Sequence, residues 1–288
     1  MALEHIQAHE LPLCLRILGQ SVRIDCTDSE LRAVLATNFA AMAEKQEDIS
    51  TGLHYNVRRS KQGPGFVLSH SGKWDQSAED ADVLLFQLEK DIIVELQRKC
   101  PEFLFLHAAA LDWQGKACLL VGESGAGKST TTWALQHHNF GYLSDELSPV
   151  DLDTLRVYAY PHALCLKKVP PPPYLLPEDV LHLGGAIHVP TVTMPGAVIL
   201  DSRPLSALFL LKYSPEFHTA TLRAMDTAEA SIHLYVSTLN ALAHSNRGLD
   251  AVVRLAECLP CFAVAAADLP STCALIRAEM KRQATSPT

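Results

Sequence analysis

The stretch GESGAGKST at 122–130 decides the fold. It matches G-x-x-x-x-G-K-[ST], the pattern of a glycine-rich loop that wraps phosphate groups. The apolar run ACLLV at 117–121 precedes it and is typical of a buried strand. The run STTTWALQHH at 129–138 follows it and favours a helix. A strand, a glycine-rich loop and a helix in this order predict a nucleoside triphosphate site.

Each residue type in this loop has a physical task. The glycines let the backbone turn its N–H groups inward, and the start of the following helix adds partial positive charge. Lys128 supplies a full charge to the β- and γ-phosphates, and Ser129 offers its hydroxyl to Mg²⁺. We therefore expect ATP and Mg²⁺ as cofactors. The predicted cofactor-binding residues are Gly122, Glu123, Ser124, Gly125, Ala126, Gly127, Lys128, Ser129 and Thr130.

The composition is that of a globular protein with a sizeable core. The chain has 288 residues, of which 48% are apolar and 19% charged, with a formal net charge of −8. Acidic and basic residues are interspersed, so there is no basic face to release counterions from a nucleic-acid backbone. Nucleic acid is therefore not an expected partner.

The sequence predicts no membrane association. The first twenty residues have no positive start followed by an apolar core and a cleavage site, and no run approaches the roughly 20 apolar residues of a membrane helix. We expect a cytoplasmic location. The eight cysteines are irregularly spaced, which is typical of reduced core thiols. The pair Cys258 and Cys261 lacks histidines or a second pair at zinc-ligand spacing and predicts a strand-edge turn.

Residues 1–81 are predicted to form a small N-terminal α+β domain. The segment 13–26 alternates like strands, and 28–43 has helical spacing behind a cap at Asp28 or Ser29. The segment 54–73 is typical of two strands joined by a Gly-Pro-Gly turn. No motif with a chemical role stands out in this part of the chain.

Residues 82–288 are predicted to form the second domain, which carries the loop. It begins with an amphipathic helix at 82–99. Strands and helices then alternate, which indicates an α/β layer structure. Strands are predicted at 103–113, 116–121, 142–150, 155–169, 206–213 and 261–267, helices at 129–138, 225–244 and 269–283, and a proline-rich loop at 169–179.

An acidic pair, Asp145-Glu146, lies seventeen residues after Lys128, at the end of the next predicted strand. A transporter ATPase would need an LSGGQ segment and a downstream apolar strand ending in Asp-Glu, and a GTPase would need an NKxD segment. The sequence contains none of these. The pair close behind the loop therefore indicates another class of nucleotide-binding protein.

The order of three features resembles the kinase domain of HPr kinase/phosphorylase and of HPr-kinase-related proteins. These features are His107 in LFLHAAALDWQGK, the loop GESGAGKST, and the acidic pair in GYLSDELSPV. The resemblance covers roughly residues 83–288. It implies a P-loop kinase domain with a phosphoenolpyruvate-carboxykinase-like sheet, plus the small N-terminal α+β unit. It also implies phosphoryl transfer to a hydroxyl.

The resemblance also implies roles for the candidate residues. Asp145, Glu146, His107 and Lys128 are the predicted catalytic residues, and Ser129, Asp145 and Glu146 the predicted metal-site residues. One of the two carboxylates would accept the hydroxyl proton or hold Mg²⁺ through water. The family usually has Asp-Asp, so Glu146 is a departure. From the sequence alone a buried, hydrogen-bonded histidine is the better interpretation of His107, and the resemblance favours the functional role.

Several weaker candidates lie in the second half of the chain. One of Lys167, Lys168 and Arg203 could contact the acceptor or the leaving phosphate, although a solvated charge is the simpler interpretation for each. His182, His188 and the segment GGAIHVPTVTMPG suggest a loop that covers the acceptor. The family's Arg- and Asn-containing signature is missing from the loosely corresponding stretch IHVPTVTMPGAVILD at 187–201, so we do not expect phosphorolysis.

Two functional hypotheses follow. The first is an ATP-dependent, Mg²⁺-requiring kinase for a serine-type hydroxyl on a protein, a precursor peptide or a small molecule. The second is a nucleotide-dependent switch or ATPase that acts through a partner protein. The resemblance also suggests a homo-oligomer, without indicating its interface. Transfer of label to an acceptor distinguishes the kinase from the switch.

Overall fold

The computed structural model describes residues 11–44, 52–61 and 63–285. The segments 1–10 and 286–288, which include the start of the chain considered above, lie outside the described residues. The strands are β1 (Leu13–Ile17), β2 (Gln20–Cys26), β3 (Leu53–Arg59), β4 (Phe66–His70), β5 (Trp74–Ala78), β6 (Phe103–His107), β7 (Ala109–Trp113), β8 (Lys116–Val121), β9 (Gly141–Ser144), β10 (Leu147–Asp151), β11 (Arg156–Val157), β12 (Leu164–Leu166), β13 (Leu181–Leu183), β14 (Ala186–Val189), β15 (Arg203–Tyr213), β16 (Thr221–Ala224) and β17 (Cys261–Ala266). The α-helices are α1 (Ser29–Asn38), α2 (Ala81–Lys99), α3 (Lys128–Gln136), α4 (Thr227–Val236), α5 (Leu249–Cys258) and α6 (Leu269–Thr285).

The N-terminal part contains a five-stranded sheet in the order β1-β2-β3-β4-β5. Strands β2 and β3 are parallel, and α1 lies between them in the sequence. The other neighbouring strands are antiparallel. Helix α1 begins after Asp28, whose side chain accepts a 2.9 Å hydrogen bond from the Leu31 N–H and so caps the helix. The predicted strands, helix and cap of this region are confirmed.

Helix α2 covers the N-terminal sheet. Its predicted apolar face is buried, and it shares one core with Tyr55 of β3 and Leu68 of β4. The face consists of Leu84, Leu85, Leu88, Ile92 and Leu96. A helix grouped with the second domain by sequence thus completes the core of the first sheet. The division into 1–81 and 82–288 stays a prediction.

The second sheet has nine strands and mixes parallel with antiparallel pairs. Its main path is β6-β10-β11-β15-β8-β7-β9, and β17 pairs with β15 and β16. The loop strand β8 is parallel to β15 and antiparallel to β7. The mixed α/β architecture is confirmed at this coarse level. The finer phosphoenolpyruvate-carboxykinase-like arrangement stays a prediction.

Helices cover both faces of this sheet. Cys118 and Leu120 of β8 pack in the core that contains α3 and α6, whereas Leu119 and Val121 pack in the core that contains α4 and α5. A strand buried on both faces reads as one continuous apolar run, as ACLLV does. This double burial fixes the position of the residue after Val121, where the phosphate loop begins.

Several sequence predictions need correction. The predicted strands 103–113 and 142–150 are each divided in two, into β6 and β7 and into β9 and β10. The predicted strand 155–169 is broken into β11 and β12, because Pro161 lacks the N–H that a ladder needs. The predicted helix 225–244 ends at Val236 and continues in 3-10 turns. Helix α5 was missed, although Val252 and Leu255 are buried at helical spacing.

The segment GGAIHVPTVTMPG is not simply a loop. Residues Ala186–Val189 form β14 between β12 and β13 in a three-stranded sheet. Ile187 and Val189 are buried in the same core as α3. Burial of these two side chains anchors the segment to the domain, so its first part does not fit the expected mobile cover. None of the helices in the described part of the chain is both long and apolar enough to cross a lipid bilayer.

Candidate active site

The phosphate loop joins the end of β8 to the start of α3. Gly127 adopts a left-handed conformation with φ of 93° and begins the helix. A Cβ atom on Gly122 would lie 2.7 Å from the Leu211 carbonyl oxygen and 2.9 Å from the Ala126 Cβ. Glycine is therefore required at both ends of the turn, for conformational freedom at one and for space at the other.

Lys128 is only 7% exposed and folds back over its own loop. Its Nζ donates hydrogen bonds to the carbonyl oxygens of Gly122 at 2.7 Å and Glu123 at 3.4 Å. Burial lowers the pKa of Lys128, and the nearby Lys167 lowers it further, while Glu146 and Asp145 act in the opposite direction. The two carbonyl groups that Lys128 contacts are neutral and compensate its charge only weakly, so an anion in the loop would be a better partner.

The strands β6–β7 and β9–β10 bring His107 next to the acidic pair. His107 pairs with Leu147, and Ala110 pairs with Ser144 three residues further along. Between these points the ladder is interrupted, and the Ala108 N–H donates to the carbonyl oxygen of Glu146 at 3.1 Å. Such irregularities re-aim side chains at the edge of a sheet. The acidic pair therefore lies on the interruption, beside His107.

Asp145 is buried and held from three sides. Its Oδ1 accepts a 2.8 Å hydrogen bond from the Tyr142 hydroxyl, and its Oδ2 accepts one from the Cys165 N–H at 3.3 Å. The Nε2 atom of His162 lies 3.3 Å from Oδ1. Burial, together with the Asp145 charge, raises the pKa of Tyr142 well above its ordinary value, so the tyrosine stays a donor. Asp145 is thus fixed in orientation.

Glu146 differs from its neighbour because its side chain is exposed. His107, on the adjacent strand, is half-buried. Burial lowers the pKa of His107, and the charge of Lys128 lowers it further. The imidazole is therefore neutral at pH 7 and can donate one hydrogen bond without adding charge. The two carboxylates that the sequence could not distinguish occupy different environments.

A second carboxylate supports Asp145 through His162. The Nδ1 atom of His162 lies 3.5 Å from Oε1 of Glu89 on α2, at ion-pair distance. The Asn38 amide donates to the same oxygen at 2.8 Å. Burial by itself disfavours the imidazolium, but the charges of Glu89 and Asp145 outweigh it and raise the pKa of His162. Burial raises the pKa of Glu89.

Sequence reasoning missed this Glu89–His162–Asp145 array. One signal was available, because Glu89 has helical spacing with the buried Leu85 and Ile92 and so faces inward from α2. His162 had no equivalent signal beyond its place next to Pro161 in an apolar run. The array links the N-terminal part of the chain to the acidic pair.

The three weaker cationic candidates differ in their distance from the phosphate loop. Lys167 reaches the loop, where its Nζ donates to the Ser124 hydroxyl at 3.1 Å. Arg203 pairs with Asp112 at 3.0 Å at the opposite end of the sheet strands, which is a structural role. Lys168 is exposed. Of these three, only Lys167 lies at the phosphate loop.

The two histidines of the expected cover also differ. His182 is exposed and His188 is buried. Burial lowers the pKa of His188, and the charge of His162 adds to this effect, while Asp82 and Asp145 oppose it. His188 thus lies in the electrostatic surroundings of the acidic pair, whereas His182 is available to solvent.

The residues at the loop suit a magnesium ion. Mg²⁺ prefers oxygen ligands and keeps several waters. Ser129 in the first turn of α3 is partly exposed and Glu146 is exposed, so both can offer oxygen atoms. The Oδ1 atom of Asp145 is contacted by both Tyr142 and His162, whereas Oδ2 accepts one hydrogen bond and keeps one lone-pair position for a metal-bound water.

A different set of possible metal ligands lies in the N-terminal part, where His70, Asp91 and Glu95 converge. The two oxygens of Glu95 are occupied by Lys73 at 2.6 Å and Arg98 at 2.7 Å. These cations compensate the carboxylate, so the set is a structural ion-pair cluster.

The chain has a distant structural likeness to a known protein. No family model matches the chain, and no curated protein matches it. Among solved structures, the HPr(Ser) kinase/phosphatase from Coxiella burnetii is 13% identical, with a TM-score of 0.34. The match covers 62% of this chain and 97% of that one. A likeness at this level identifies neither an activity nor site residues.

Proposed function

We propose that this chain is an ATP-dependent, Mg²⁺-requiring kinase that transfers the γ-phosphoryl group to a serine-type hydroxyl. The observation that carries the proposal is the position of Lys128 in the glycine-rich loop and of His107 beside the pair Asp145-Glu146, whose charges act on Lys128. The triphosphate needs a cation, the metal needs carboxylate oxygens, and the acceptor hydroxyl needs a group that takes its proton. Phosphoryl transfer requires all of these groups at one place.

The loop and the start of α3 would bind the triphosphate. Backbone N–H groups and the helix terminus favour the negative phosphates. Lys128 would exchange the Gly122 carbonyl for phosphate oxygens, which gives its charge an anionic partner. Mg²⁺, held by Ser129 and through water by the acidic pair, would neutralise charge on the β- and γ-phosphate oxygens.

Glu146 is our candidate for the group that accepts the proton, because its carboxylate is exposed while that of Asp145 is held. The acceptor oxygen forms a bond to the γ-phosphorus, and the bond to the β–γ bridging oxygen breaks. ADP leaves with the electron pair of that bond, and the hydroxyl proton passes to the carboxylate. Neutral His107 would donate a hydrogen bond to the transferring group.

The acceptor class stays as broad as the sequence left it: a protein, a precursor peptide or a small molecule. The homo-oligomer and the cytoplasmic location also stay predictions.

Two surface grooves in the described part of the chain lie away from the loop, one of about 540 Å³ between α4 and α5 and one of about 440 Å³ between α2 and the segment after α4. Neither groove includes a residue of the proposed site.

The proposal is tested with γ-labelled ATP, Mg²⁺ and a size-fractionated cell extract, using the protein and a Lys128→Ala variant. Label that moves to a peptide, protein or metabolite only when Lys128 is present supports the kinase and reveals the acceptor class. Label that is released solely as inorganic phosphate with every fraction refutes the kinase and favours the nucleotide switch.

A further inference from the structure

Lys167 reaches the phosphate loop because of the way β12 is built. Leu164 and Leu166 are buried in the core that contains α3. Side chains alternate along a strand, so Cys165 projects from the opposite face, and Lys167 lies in the bend that directly follows β12. The Cys165 N–H already donates to Asp145 at 3.3 Å. Strand β12 and the bend after it therefore supply one contact to the acidic pair and one to the loop.

The contact that Lys167 makes is incomplete for a lysine. Its Nζ donates to the neutral hydroxyl of Ser124 at 3.1 Å, at an exposed position of the loop. At this exposed position solvent shares the ammonium charge, and an anion would be a stronger partner for it than a neutral hydroxyl. The contact places the Lys167 ammonium group at an exposed residue of the glycine-rich loop.

Two lysines lie at the loop, and the charges of Glu146 and Asp145 act on the same surroundings. Lys128 lies beneath the loop, Lys167 lies on its β12 side, and the charges of both lysines act on His107. Cations held close together repel one another unless an anion lies between them. A transferring phosphoryl group is such an anion, since its charge spreads over three equatorial oxygens.

We propose that Lys167 is a further catalytic cation that leaves Ser124 when ATP binds and contacts the γ-phosphoryl oxygens during transfer. This inference rests on the proposed function. Lys128 would serve both the β- and the γ-phosphate, whereas Lys167 acts on the γ-group. ADP therefore binds without help from Lys167, and only a ligand with a group in the γ position needs it.

The chain offers a matched control. Lys168 is the next residue, carries the same charge and is exposed, but it makes no contact with Ser124 in the described structure. The Lys167→Ala and Lys168→Ala variants each lose one positive charge, and the two positions are adjacent. A difference between them therefore reports position rather than general electrostatics.

The test uses two defined probes, Mg²⁺-ADP alone and Mg²⁺-ADP with aluminium fluoride, which mimics the transferring phosphoryl group. Their affinities are measured by calorimetry for the unmodified protein, Lys167→Ala, Lys167→Arg and Lys168→Ala. We expect Lys167→Ala to weaken the fluoride complex by about 100-fold, the loss typical of one transition-state donor. ADP affinity should change less than about threefold, and Lys167→Arg should recover part of the loss.

Each outcome is decisive. Equal fluoride affinities for Lys167→Ala and Lys168→Ala overturn the inference. An equal loss of ADP and fluoride binding in Lys167→Ala also overturns it, because the residue then serves the loop and not the γ-group. If the unmodified protein fails to bind ADP, the proposed function fails first, and the inference falls with it.

Discussion

Replacing His162 with leucine should strongly destabilise the protein. His162 lies 3.3 Å from Asp145 and 3.5 Å from Glu89, and the side chains of these carboxylates are 2% and 14% exposed. His162→Leu leaves both carboxylates in the interior without their shared partner. Removing one member of such a buried array typically costs about 3–5 kcal/mol. Glu89 can take up a proton, since burial raises its pKa, so we expect a value near the lower end.

Urea denaturation measures this loss. With an m-value of about 3 kcal/mol per molar urea, the midpoint of urea denaturation should fall by about 1 M. The control is His182→Leu, which removes an exposed histidine and should change stability by less than about 0.5 kcal/mol. Adding Glu89→Leu to His162→Leu should restore part of the loss, because the second change removes an uncompensated carboxylate. A His162→Leu variant as stable as His182→Leu would refute the reasoning.

Three further predictions concern other parts of the molecule. Burial raises the pKa of Glu95, but ion pairs with Lys73 and Arg98 outweigh it and lower the pKa overall. This stabilisation is present above the ordinary carboxyl pKa and is lost as the pH falls through the folded pKa. Glu95→Gln should therefore lower the melting temperature at neutral pH, with a difference that shrinks in acid; a constant difference contradicts it. Gly127→Val forces a β-branched residue to a φ of 93°, so ATP-induced stabilisation should disappear in a thermal shift assay, and its persistence would show that the turn tolerates the strain. Glu146→Gln should lower the transfer rate at saturating ATP and Mg²⁺ by about 10²- to 10⁴-fold, and an unchanged rate would exclude Glu146 as the proton acceptor.

The features that the sequence predicted well are local ones. The apolar spacing of α2, the Asp28 cap and the strand-loop-helix around Lys128 each depend on residues within a few positions of one another. Periodicity and glycine chemistry act over that range. The sequence alone was therefore sufficient to find the loop and the secondary structure on either side of it.

The surroundings of the acidic pair depend on contacts that are distant in sequence. Asn38, Glu89 and His162 come from separate parts of the chain. Asn38 contacts Glu89, Glu89 contacts His162 and His162 contacts Asp145 only after the N-terminal sheet, α2 and the central sheet have packed together. The different exposure of Asp145 and Glu146 likewise depends on the interrupted pairing with β6 and β7. No local pattern encodes either arrangement.

The contact between Lys167 and Ser124 shows the same limit. The sequence presented Lys167, Lys168 and Arg203 as three equivalent cations. Lys167 lies in the bend after β12, where its Nζ donates to the Ser124 hydroxyl. This contact joins residues 43 positions apart, so no local pattern distinguishes Lys167 from the other two cations.

Calorimetric titration of Mg²⁺-ATP tests the central claim most directly. The proteins to compare are the unmodified chain, Lys128→Ala and Lys116→Ala, since Lys116 begins the same strand β8 at the end away from the loop. The account predicts equal affinity for the unmodified protein and Lys116→Ala, and a loss of at least about tenfold for Lys128→Ala, which lacks the charge-assisted contacts to phosphate. Equal affinity in all three proteins, or no binding by the unmodified chain, would contradict it.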